Sequence, residues 1–223
     1  MSGNRAAGLL GVIAAISVSG AAIAAARETG VAAAHRCPPA GAHMIAHDRF
    51  VRVYTTGTGP LSGHAVEACL TGRRGRMTLL AAASPGAGPG GRSLAVDASS
   101  GPLIAYSLTS FGVDSGSTSL VVADVDARRV LRRLTVGHYV DAGFAGYERI
   151  TQVALGPEGA VGWIAAAKGP GEASQTYSVH AAATVGEPRV LDEGPDIGPE
   201  SLTLTGGTLH WWHAGIEHSA PLP

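Results

Sequence analysis

Val153-Ala-Leu-Gly-Pro-Glu-Gly-Ala-Val-Gly-Trp163 reads as a short apolar strand, a Gly/Pro turn and a second strand ending on an aromatic residue. The phrase recurs as Leu94-Ala-Val96 with Pro102-Leu-Ile-Ala-Tyr106, and as Leu202-Thr-Leu204 with Gly207-Thr-Leu-His-Trp211. A weaker copy, Phe50-Val-Arg-Val-Tyr54, stands first, and the four aromatics lie 52, 57 and 48 residues apart. Repetition at that interval marks an architecture of similar units, each burying a face against the next. It identifies a scaffold rather than a reaction.

A second rhythm follows each first one. Ser119–Leu134 is a strand, a tight turn and a returning strand, and Ala65–Leu80 and Tyr177–Leu191 repeat it. Each unit is then four antiparallel strands, an inner pair and an outer pair. The units fall at about 43–83, 92–137 and 147–194, with a shortened one at 199–223 whose outer pair is reduced to Ile216–Leu222. Apolar positions alternate within runs of Val, Leu, Thr and aromatics, and outside the leader no window carries a helical stripe. The expected fold is all-β: four-stranded antiparallel units in a small propeller-like arrangement, about four-bladed or incomplete. An irregular β-sandwich is the alternative. Residues near Ala42–Phe50 could complete the short last unit and so close the ring, and the sequence leaves that closure open. The aromatics are expected to pack between units.

The N-terminus reads as an export signal. Arg5 is the sole charge before Arg27, and Ala24-Ala-Ala26 is an Ala-x-Ala cleavage site, so residues 1–26 form a signal peptide. An uncleaved membrane anchor is the rival reading. A lipid anchor does not fit, because Ala34-His35-Arg36 precedes Cys37 where small apolar residues are required. Residues 27–42 make a polar leader, and 43–223 a single domain facing the outside of the cell, secreted or held at the envelope. The bias toward Ala, Gly and Arg over Lys suggests a GC-rich bacterial genome. Past residue 26 there remain 15 basic and 17 acidic residues, a formal charge of −2. Nucleic acid is therefore an unsuitable partner. The basic spots at Arg73, Arg74 and Arg76, and at Arg128, Arg129, Arg132 and Arg133, read as solvated hairpin turns.

Cys37 and Cys69 are the only cysteines, and in an oxidising compartment they pair. The bridge would close a loop of about 33 residues and contribute roughly 3–4 kcal/mol in the chain-entropy picture. The Gly/Pro clusters at 57–63, 84–91, 169–171 and 194–199 read as surface connectors.

Leu120–Leu131, ahead of Ile150–Trp163, resembles WD40-like and TolB-type bacterial propellers, and the resemblance covers about residues 43–215. It is similar as well to secreted bacterial proteins with paired cysteines and short propeller-like repeats. The resemblance lies in rhythm: there is no Trp-Asp dipeptide and no catalytic signature. About 180 residues supply four blades at most, so a half-propeller that dimerises also stays open.

A search for chemistry returns little. His43-x-x-x-His47 followed by Asp48, and His210-Trp-Trp-His213 with His218, could hold zinc or copper if the chain ends met. His210 and His213 face opposite ways on a strand, and surface or hydrogen-bonded structural roles are favoured, so no metal and no cofactor is assigned. There is no Gly-x-Ser-x-Gly elbow. Asp114–Ser117 reads as a loop, Asp124 and Asp126 as turn caps, and Glu67, Asp97 and Glu158 have no identifiable partner. Gly86–Gly91 lacks the Lys-Ser/Thr and helix of a phosphate loop. Trp211 and Trp212 are the candidate ligand contacts: adjacent strand residues face opposite ways, so one should be buried and the other outside.

The reading that results is a secreted, disulfide-stabilised binding module whose ligand is an unidentified extracellular molecule or protein, leaning away from an enzyme. The alternative is an extracellular hydrolase or lyase with a site built from blade loops. A homodimer through the unfinished fourth unit is a third expectation.

Overall fold

The computed structural model describes residues 37–56, 64–81, 91–112, 115–140, 147–169 and 174–223. The expected signal peptide, residues 27–36 of the leader, Asp114 and most of the Gly/Pro connectors lie outside the described residues.

The fold is all-β and antiparallel throughout. The first sheet is a meander of β1 (His43–His47), β2 (Val51–Thr55), β3 (Val66–Leu70) and β4 (Met77–Leu80). The second runs β5 (Gly91–Ser100), β6 (Leu103–Phe111), β7 (Ser115–Asp124) and β8 (Arg129–Val140). The third runs β9 (Tyr147–Leu155), β10 (Val161–Lys168), β11 (Thr176–Ala182) and β12 (Arg189–Gly194). The backbone pair Tyr139–Tyr147 links the second sheet to the third. The last sheet has three strands, β13 (Thr203–Thr205), β14 (Thr208–His213) and β15 (Ile216–Pro221).

Strand periodicity decides how the sheets stack. On β6, Ile104 and Tyr106 enter a core shared with Val51, Val53, Val66 and Leu80 of the first sheet. Leu103 and Ala105, one residue out of step, enter a second core with Val153, Val161 and Trp163 of the third sheet. β7 divides the same way, Val121 and Ala123 to the first core and Leu120 and Val122 to the second. A third core joins Ile164, Val179 and Ala181 to Leu202, Leu209 and Trp211. A sheet apolar on both faces cannot be satisfied alone, and a one-residue slip would exchange its two cores.

The repeated aromatics occupy equivalent settings. Tyr106, Trp163 and Trp211 each sit on the second strand of their unit and point into the core shared with the preceding sheet. Trp163 stacks on His180 of its cross-strand partner, the ring centroids 4.9 Å apart. The glycine before Trp163 has a packing reason. A Cβ at Gly162 would stand 2.6 Å from Leu209 Cδ1, so the fourth sheet seats its leucine on a bare stretch of β10.

Among the described residues the ring is not closed by strand exchange. β1 pairs with β2 in the first sheet, Met44 opposite Tyr54 and His47 opposite Arg52, and does not complete the last unit. The Asp48 turn explains this: its carboxylate accepts the N–H groups of Phe50 and Val51 at 2.6 Å, folding β1 straight back on β2. Among the described residues the buried clusters join consecutive sheets, and none joins the fourth to the first.

Cys37 and Cys69 form a disulfide, Cα atoms 5.9 Å apart, tying the start of the described chain to β3. Two of the arginines expected at solvated turns are instead cross-ties between sheets, and Arg132 lies within β8. Arg73 pairs with Asp126 of the second sheet at 2.6 Å, and Arg132 donates to the carbonyls of Ala183 and Gly186 beyond β11. Asp124 accepts the N–H of Ala127 at 2.9 Å, the turn cap its position suggests.

Candidate functional site

Two clusters of polar chemistry sit where sheets meet, one at each end of the stack. The first lies between the β1–β2 turn and β5. Ladder pairing puts Val96 opposite Tyr106 and Ala98 opposite Ala105, so Asp97 between them is the extra residue of a β-bulge. A bulge turns a side chain away from the alternation around it. Here it directs a carboxyl into a cavity of about 160 Å³ lined by His47, Asp48, Val53, Ser99 and Ile104.

The two carboxyls of this cavity are treated differently. Asp97 Oδ1 accepts a 3.3 Å bond from Ser107 Oγ, and Oδ2 is buried with no partner. Burial raises its pKa to about 6, only partly countered by the Ser107 hydrogen bonds. Burial pushes Asp48 up as well. There the Ser99 hydroxyl at 2.5 Å, with the Val51 and Phe50 amides, outweighs it and holds the group below the usual carboxylate value. One carboxyl that keeps its proton to about pH 6 beside one that stays ionised is the arrangement an acid–base pair requires. The cavity is smaller than the roughly 300–1,000 Å³ common for organic ligands.

The second cluster gathers on the inner side of the last sheet. Ala214 and Gly215 both have positive φ, 52° and 76°, which is the two-residue hairpin geometry that matches strand twist. That turn sets His213 opposite Ile216 and Trp211 opposite His218. Trp211 and His218 therefore share a face, their rings stacked at 6.0 Å, and His213 lies tilted against His218 at 5.7 Å. Asp192 arrives from β12 next to another bulge, since Val179 pairs with Asp192 and His180 with Val190. It accepts from Trp211 Nε1 at 2.7 Å and lies 3.0 Å from His213 Nδ1. Burial alone would raise its pKa, but the Trp211 and His213 bonds outweigh burial and lower it.

The residues singled out from sequence separate accordingly. Trp211 is buried, and Trp212 is 49% exposed on the opposite face. His210 turns outward and contacts Glu217 at 3.1 Å, while His213 turns inward to Asp192. His43 and His47, at the two ends of β1, belong to the first sheet, and among the described residues the compact group is Asp192, His213 and His218. Glu67, partnerless in sequence, meets Arg76 at 3.2 Å.

Sequence reasoning missed Asp192 and undervalued Asp48 and Asp97. Asp192 carries no local signal, because it meets its partners only through sheet packing. Asp97 did carry one: a carboxylate inside the apolar run Leu94-Ala-Val96-Asp97-Ala98 of an inner strand. No protein-family model and no curated protein matches this chain.

Proposed function

We propose that the protein is a secreted, disulfide-stabilised binding module of propeller-like build, with an extended segment of an extracellular protein as its ligand. The observation that carries this reading is Trp212, half-exposed on the outward face of the final sheet. Its neighbour β15 is paired with β14 on one side and, among the described residues, with no strand on the other. A free edge supplies backbone donors and acceptors for strand addition, and an exposed aromatic beside it supplies a side-chain anchor. The Ala-x-Ala site ahead of Arg27 and the Cys37–Cys69 bridge support export to an oxidising compartment. The test is binding of the chain to arrays of immobilised peptides and oligosaccharides. Peptide binding that falls at least ~10-fold in Trp212→Ala is expected, the scale of an anchor residue. Binding that ignores this substitution, or that goes to sugars instead, overturns the reading.

A second reading, an extracellular hydrolase or lyase, is favoured by one observation: the pKa values of Asp48 and Asp97 are pushed apart in one cavity. It requires turnover of ester, glycoside or uronate substrates that Asp97→Asn abolishes, with activity failing as pH rises through about 6. Turnover unaffected by that substitution rejects it.

A further inference from the structure

We propose that Asp192, His213 and His218 bind a divalent transition metal, zinc or copper, through three protein ligands with a fourth position open to solvent. The site is on the opposite face of the last sheet from Trp212 and stands independently of the binding reading.

The geometry is already close to what a metal needs. One ligand atom from each of the three residues lies within 4.8 Å of the other two. His213 Nδ1 and the Asp192 carboxylate oxygens are 3.0 and 3.1 Å apart. Ligands bound at about 2.0–2.2 Å in tetrahedral geometry stand roughly 3.4 Å from each other, so this pair needs to open by only tenths of an ångström. His218 is exposed and turns at little cost to close the remaining distance. Two imidazoles and one carboxylate suit zinc and copper better than calcium or magnesium, which take oxygen ligands.

The surroundings orient the ligands. Trp211 Nε1 donates to Asp192 Oδ2 and leaves Oδ1 for the metal, the kind of outer partner that fixes a ligating carboxylate. His213 is held from its other edge. A Cβ at Gly194 would stand 2.7 Å from His213 Nε2, so the bare backbone of residue 194 lets the ring lie down with Nδ1 toward Asp192. The side chains of Asp192 and His213 are 17% and 24% exposed, enough for an ion to enter and for water to complete its shell. The competing account is a plain Asp–His hydrogen bond with His218 merely stacked on Trp211.

The two accounts separate by titrating the tag-free chain, stripped with chelator, with zinc chloride in a calorimeter. Co(II) absorption serves as a second readout of tetrahedral coordination. Binding at one ion per chain is expected. His218→Ala, an exposed position that leaves the cores intact, should weaken it at least ~100-fold, and Trp211→Phe about 10-fold. His210→Ala, on the other face, should change nothing. Absence of stoichiometric binding overturns the site. So does binding that survives both His218→Ala and His213→Ala, or that depends on His210 as strongly as on His218.

Discussion

The junction between the first two sheets and the junction between the last two each hold an aspartate beside a bulge, and the two carboxyls end in opposite states. Asp97 has one 3.3 Å hydroxyl contact and a buried oxygen without a partner, and its pKa rises to about 6. Asp192 meets an indole N–H at 2.7 Å and an imidazole at 3.0 Å, and its pKa falls. Asp97 is the more deeply desolvated of the two and has only Ser107 against that burial, whereas at Asp192 close donors outweigh a lighter one. Depth of burial and the number and aim of donors together decide the charge a carboxyl carries inside a sheet stack. Below about pH 6 one junction thus holds a proton while the other holds an anion.

The largest test of this contrast is Trp211→Ala, which removes the third core's aromatic and the donor to Asp192 together. It should cost about 3–5 kcal/mol in urea unfolding, whereas Trp212→Ala next door should stay within about 0.5 kcal/mol. Equal costs would mean that the two faces of β14 are not distinguished as described.

The next test is electrostatic. Because the Asp97 value is raised from 3.8 to about 6, the folded chain holds a proton there that the unfolded chain releases between those values. Stability from this group is therefore full below about pH 4 and falls as pH rises through about 6. Asp97→Asn should gain about 2 kcal/mol at pH 7.5 and nothing below pH 4. Asp192 has the opposite sign: its stabilisation is present above the ordinary carboxylate value and disappears as pH falls through its lowered one. Asp192→Asn should cost about 1 kcal/mol at neutral pH and less in acid. Denaturation of both variants at two pH values checks this, and parallel shifts would break the comparison. The smallest effect is expected at the exposed cross-tie: Arg73→Ala should change stability by no more than about 0.5 kcal/mol, a difference that salt erases.

Much of the scaffold was legible before any coordinates. The apolar runs Leu120-Val-Val-Ala123 and Leu103–Tyr106 announced strands, and the structure buries both of their faces. The spacing of Tyr106, Trp163 and Trp211 announced that each would pack between units, and the structure sets each against the sheet before it. Little of the candidate site was legible. His213 was weighed against His43, His47 and His210, yet its partner is Asp192, two strands upstream with no motif between them. The closure through β1 that the sequence left open is not made, because a local turn, Asp48 accepting two amides, folds β1 back on β2.

What the chain order alone determined is therefore the periodic part: strands, the disulfide of its two cysteines, and that one of two adjacent tryptophans would be outside. Local backbone geometry and a count of thiols suffice for these. Which carboxyls lose their water, which histidines meet, and whether the stack stays open were decided only in three dimensions. They depend on bulges and on donors from neighbouring sheets, and apart from Asp97, a carboxylate within an apolar run, such contacts leave no trace in the spacing of residues.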